Sequence, residues 1–105
     1  MLYEIILAPE AVVDLRTLKA NVRATVRRAI EQQLRHQPQR TSKSRIKRLR
    51  GLARPQYRLR VGDVRVFYDV MGSQVQIVGI VDKKNVEQWL AKTGEPDEDR
   101  GTERS

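Results

Sequence analysis

Three arginines, Arg58, Arg60 and Arg65, fall within the stretch Tyr57-Arg58-Leu59-Arg60-Val61-Gly62-Asp63-Val64-Arg65-Val66-Phe67-Tyr68, and a basic pair, Lys83-Lys84, follows further on. A guanidinium stays charged at any physiological pH and offers a planar fork of donors, which suits a phosphate oxygen pair. These three arginines and two lysines, gathered at one phosphodiester, would stabilise the charge that develops when a ribose 2′-hydroxyl attacks in line. That reaction needs no metal. It does need a proton acceptor and a donor, which arginine cannot be. Asp69, Asp82, Glu87 or a lysine of lowered pKa are the candidates.

The setting favours an anion. The chain has 105 residues with 21 basic and 13 acidic side chains, a net charge of +8. Residues 95–105 hold five acids and two arginines, a net −3, so residues 1–94 carry +11. Eleven basic residues lie between Arg35 and Arg65 against the single acid Asp63. Such a field attracts polyanions, nucleic acid above all. Lys43, Arg45, Lys47, Arg48, Arg50 and Arg54 are therefore candidate RNA contacts, with Phe67 available to stack on a base. A solvated basic face, or a surface matched to an acidic protein partner, accounts for the same charge.

Composition excludes much else. There is no cysteine, so disulfides, thiolate catalysis and sulfur-ligated zinc are out, and one histidine leaves no His cluster for a metal. No cofactor is expected. No apolar run reaches a membrane span's length and no signal peptide opens the chain, so a small cytoplasmic domain with no membrane partner is expected.

The elements that must position these residues read as follows. Leu2–Leu7 is a short buried strand stopped by Pro9, which suits the first turn of a helix. Val12, Leu15 and Leu18 share one helical face. After a break at Lys19-Ala20-Asn21, Val22, Val26, Ala29, Ile30 and Leu34 form the stripe of a second helix, ended by Pro38. Ile46–Leu49 adds a short strand. Residues 57–61 and 64–70 alternate as strands, 75–81 is an apolar strand, and residues 82–92 form a helix with Val86, Trp89 and Leu90 on one face. The expected fold is α+β, in the order β-α-α-β-β-β-α, an antiparallel sheet with the helices packed on one side. Residues 1–92 form the domain and 93–105 a disordered acidic tail.

Strand register sharpens the site. With Gly62-Asp63 as a two-residue type II′ loop, Val61 faces Val64, Arg60 faces Arg65, Leu59 faces Val66 and Arg58 faces Phe67. Tyr57, Leu59, Val61, Val64, Val66 and Tyr68 then share the core face, joined by Val75 and Ile77. Arg58, Arg60, Arg65, Phe67 and Asp69 fall on the other, with Val78 and Ile80. Opposed like charges cost up to about 1 kcal/mol per pair, a cost an anion between them removes. Lys83 and Lys84 emerge near the Arg60–Arg65 end, so five cations are expected on one concave surface. Trp89 is expected to pack, and His36 to lie on the surface.

The run Leu49-Arg50-Gly51, the segment from Tyr57 to Val70, the strand Val75–Val81 and the pair Lys83-Lys84 together resemble the RelE/ParE superfamily of bacterial toxins, over most of residues 1–92. The resemblance implies a RelE-like fold and a type II toxin neutralised by a cognate antitoxin protein in a hetero-oligomer. In the RelE branch it implies entry into the ribosomal A site and mRNA cleavage that leaves a 2′,3′-cyclic phosphate. By position, Arg58 and Arg60 match two basic strand residues, Arg65 an arginine that stabilises the transition state, and Lys83 or Lys84 a basic residue after the last strand. Two positions depart from the pattern. RelE has lysines where Arg58 and Arg60 stand, and related toxins often carry a tyrosine or histidine where this chain has Glu87 and Trp89. The alternatives are a ParE-like inhibitor of DNA gyrase without nuclease activity, and a non-catalytic RNA- or ribosome-binding module.

Overall fold

A computed structural model describes residues 2–97. Its element order is β1 (Glu4–Leu7), α1 (Pro9–Thr17), α2 (Ala20–Leu34), β2 (Ile46–Arg48), β3 (Leu52–Arg54), β4 (Tyr57–Val61), β5 (Val64–Met71), β6 (Gln74–Asp82), a 3₁₀ turn (Lys83–Asn85), α3 (Val86–Thr93) and β7 (Glu95–Pro96). Pro9 opens α1, where its fixed φ helps and its missing N–H costs nothing. Ala11 and Leu15 of α1 and Val26, Ile30 and Leu34 of α2 enter the core.

Five strands form the main sheet in the order β1-β6-β5-β4-β2. The β4–β5 pairing follows the register expected from Gly62-Asp63 at all five positions, Tyr57↔Tyr68 to Val61↔Val64. Gly62 has φ +58, and among the described residues only glycines have positive φ, so Asp63 does not, which fits a type II′ loop and excludes type I′. The strand β1 is not antiparallel: it runs parallel to β6, so the sheet is mixed. The free edge of β6 beyond β1 is closed from α1, where the Asp14 carboxylate accepts the Ile80 N–H at 3.0 Å.

Two expectations about the sheet faces change. A bulge between Phe67 and Tyr68 puts Phe67 opposite Gly79 and Val66 opposite Ile80. The extra residue, Val78, shifts Ile80 onto the core face, where it is 5% exposed. The helices also do not share one side. The hairpin α1–α2 covers the core face, whereas α3 lies over the other, where Trp89 stacks on Phe67 with ring centroids 4.7 Å apart. Gly79 permits this contact. A Cβ there would stand 2.3 Å from the Trp89 ring.

The C-terminal boundary moves as well. Residues 95–96 are not loose tail but β7, paired with β3, and the Asp97 N–H donates to Gly51 O at 3.1 Å. The rest of the expected acidic tail, residues 98–105, lies outside the described residues. Among the described residues no helix is long and apolar enough to cross a membrane.

Candidate functional site: an arginine cluster on the open face of the sheet

Alternation along β4 and β5 sends Leu59, Val66 and Tyr68 into the core and turns Arg58, Arg60 and Arg65 to the opposite face. The neighbouring strand extends the set. Lys47 of β2 pairs with Arg58, and the Arg60 N–H donates to Arg45 O at 2.8 Å, so Arg45 continues the Arg60–Arg65 row. Five cations thus occupy two rungs, separated by the core-facing Leu59–Val66 pair, across β5, β4 and residues 45–47.

Arg58 is the most constrained member. Its Nε is buried and has no hydrogen-bond partner among the described residues. Burial, and then the charges of Arg65 and Arg60, push its guanidinium below the ordinary arginine pKa. The free protein therefore holds a cation in a place that disfavours it. Arg65 is braced at the hairpin tip, where its Nη1 donates to Gly62 O at 2.7 Å and to Val64 O at 3.2 Å. That leaves Nη2 and Nε for an anion.

The other expected site residues divide. Lys83 reaches the same hairpin tip: its N–H donates to Asp63 O at 2.8 Å and its Nζ lies 3.3 Å from Asp63 Oδ1. Both ends of that pair are exposed, so it holds Lys83 only weakly. Lys84 is exposed, its backbone N–H capped by Asp82 at 3.1 Å. Lys43 and Arg50 are exposed in the loops flanking β2.

Three candidates are employed elsewhere. Phe67 is fully buried under Trp89 and offers no face to a base. Arg54 donates through Nε to Asp69 at 2.9 Å, on a carboxylate that is 1% exposed. Arg48 lies over the Tyr57 ring, 5.3 Å from its centroid, and donates to Gln56 O at 2.8 Å. The β2 alternation that turns Lys47 toward Arg58 turns Arg48 to the other side.

Arg58, Arg60 and Arg65 line none of the five clefts described, which lie beside β2, at the hairpin tip, around α1 and α3, and near Pro55. No group of three His, Asp or Glu among the described residues could hold a metal.

Against this geometry, known relatives can be placed. The sequence profile of the family described as the ParE toxin of type II toxin–antitoxin systems, parDE, matches residues 5–86. The chain belongs to that toxin family. Among curated proteins none matches its sequence. In fold the toxin is similar to the RelB–RelE antitoxin–toxin complex from Methanococcus jannaschii, with TM-score 0.64 at 23% identity over 80% of this chain and 96% of that one. The RelBE2 toxin–antitoxin complex from Mycobacterium tuberculosis gives TM-score 0.62 at 23% identity, covering 78% and 99%. The archaeal RelE–RelB complex from Pyrococcus horikoshii OT3 gives 0.60 at 24%, covering 79% and 97%.

Chemically, the toxin's cluster can bind an anion and stabilise growing negative charge, but it contains no proton acceptor. Asp69 is buried and held by Arg54 and by the Gln56 N–H at 2.8 Å, and Asp63 is beside Lys83. Tyr57 and Tyr68 lie on the core face, and the Tyr68 hydroxyl donates to Pro38 O at 2.6 Å. The clip that joins Asp69 to Arg54 and Gln56 was not legible in the sequence. The sequence marks it only by Asp69 itself, the single acid of β5, set between Tyr68 and Val70.

Proposed function

We propose that this toxin is an mRNA endoribonuclease that works on the ribosome, holding one phosphodiester between Arg58, Arg60 and Arg65. The observation that carries this reading is the buried Arg58 Nε, a charge-bearing donor without an acceptor, set against two further cations. A phosphate oxygen supplies the missing acceptor and cancels the mutual repulsion. In the reaction the ribose 2′-oxygen bonds to the adjacent phosphorus and the 5′-oxygen leaves, giving a 2′,3′-cyclic phosphate and a 5′-hydroxyl. The 2′-hydroxyl loses a proton and the leaving oxygen gains one. Charge on the pentacoordinate phosphorus is greatest midway, where preorganised guanidinium groups contribute most. With no free carboxylate or imidazole in the cluster, proton transfer falls to water or to the ribosome. The partners on this reading are mRNA, the ribosomal A site and a cognate antitoxin.

A second reading, inhibition of DNA gyrase without cleavage, is favoured by two observations: the matching profile is that of ParE, and the cluster lacks acid–base groups. One experiment separates the two. Primer extension on mRNA from a translating extract should show toxin-dependent stops, lost by about a hundredfold or more in Arg65→Ala at unchanged far-UV circular dichroism. Intact mRNA together with inhibited DNA supercoiling would replace the first reading by the second.

A further inference from the structure

Two clefts meet the edge strand β2 and the loop before it, and both differ from the other clefts described. One, of about 410 Å³, lies between the C-terminal end of α2 and the loop leading into β2, and holds His36, Arg40 and Arg45 with the hydroxyls of Thr41, Ser42 and Ser44. The other, of about 650 Å³, holds Lys47, Arg48 and Arg50. Neither contains a carboxylate, whereas the clefts at the hairpin tip, beside α3 and near Pro55 each contain at least two. Cations collected without a counter-charge are costly for a free protein, as in the arginine cluster itself.

The first cleft is joined to that cluster. Arg45 lines it, and the same residue's carbonyl accepts the Arg60 N–H, so a single residue links the Arg65–Arg60 row to the cleft. The cleft floor is built rather than loose. Ser42 Oγ accepts the N–H groups of Arg45 and Ile46 at 3.0 and 3.3 Å, and the Ser42 N–H donates to Ile46 O at 2.9 Å. Arg40 is steered by Gln37, whose Oε1 accepts from Nη1 at 3.0 Å.

We propose that the cleft of His36, Arg40 and Arg45 is a second phosphate subsite, which holds the RNA backbone at a phosphate beyond the one in the arginine cluster. This deepens the endoribonuclease reading and rests on it. The RNA strand crosses the sheet from β5 over β4 to β2, roughly perpendicular to the strands, and its far phosphate docks beside α2. Length of substrate, not chemistry at the reacting phosphate, is what this subsite reads.

The test compares a trinucleotide with a dodecanucleotide of single-stranded RNA, binding to the full chain across a salt series. Arg40→Ala should bind the longer RNA about three- to tenfold more weakly, with the salt slope reduced by about 0.7, one phosphate contact on a single strand. Trinucleotide affinity should not change. Arg40→Lys should keep most of the slope. Equal weakening of both lengths would overturn the subsite, because Arg40 would then act through the cluster. So would an unchanged dodecanucleotide affinity with lost binding of the antitoxin, which would assign the cleft to an acidic protein. Arg58→Ala serves as the separate control: if it leaves trinucleotide binding intact, the functional reading itself fails.

Discussion

Replacing Arg58 by methionine should stabilise the free toxin while removing its activity. Methionine retains the apolar stem that packs on the sheet and deletes the guanidinium. Two costs disappear with it. The buried Nε has no acceptor, and leaving a donor unpaired costs about 1–3 kcal/mol when fully buried. The repulsion from Arg60 and Arg65 adds up to about 1 kcal/mol. The guanidinium is only partly buried, so water and salt reduce both contributions, and a net gain of about 1 kcal/mol is the reasonable expectation. For a domain of this size that raises Tm by roughly 4–8 °C. Thermal unfolding followed by circular dichroism measures it, at low salt and again at high salt, where the gap should narrow. Inorganic phosphate supplies the second arm. It should raise the wild-type Tm by binding the folded state alone, by about 1.4 kcal/mol at ten times its dissociation constant, and should do less for the variant. An Arg58→Met protein that melts below wild type, with both stabilised equally by phosphate, would refute the reasoning.

Two further expectations follow from packing and from titration. Gly79→Ala places a Cβ 2.3 Å from the Trp89 ring, so α3 must lift from the sheet. We expect a loss of about 1–3 kcal/mol in urea denaturation and a red shift in emission from the chain's single tryptophan. Burial raises the Tyr68 phenol well above its ordinary value of 10.0. The unfolded chain then releases this proton near pH 10 while the folded one keeps it, so stability from this group is present below pH 10 and lost above it. Tyr68→Phe should flatten that alkaline decline, at a cost of about 1 kcal/mol at neutral pH for the bond to Pro38.

How far the sequence reached is clearest along β4 and β5. Gly62-Asp63 admits one hairpin register, and period-two alternation then assigns every side chain to a face, so the convergence of Arg58, Arg60 and Arg65 was legible from local pattern alone. The core stripe of α2 was legible for the same reason, since its period of 3.6 is written in Val26, Ile30 and Leu34. Errors began where pattern depends on a partner. A bulge opposite Phe67 is invisible in β6, whose residues are apolar on both faces, and it moved Ile80 to the core.

Contacts between distant segments had no local trace at all. Phe67 looked available because its strand neighbours are arginines, yet Trp89 of α3, which returns across the open face, buries it. Arg54 and Arg48 are free charges by local pattern, yet Asp69 and Tyr57 engage them from elsewhere in the chain. The residues 95–96 read as tail because nothing in Glu95-Pro96 announces a strand; β3 supplies the pairing. By itself, then, the sequence determined the charge, the hairpin register and the three arginines, all of which depend on neighbours in the chain. Which cations remain available to a phosphate was decided only by the tertiary structure, because availability is set by what packs against each side chain from elsewhere.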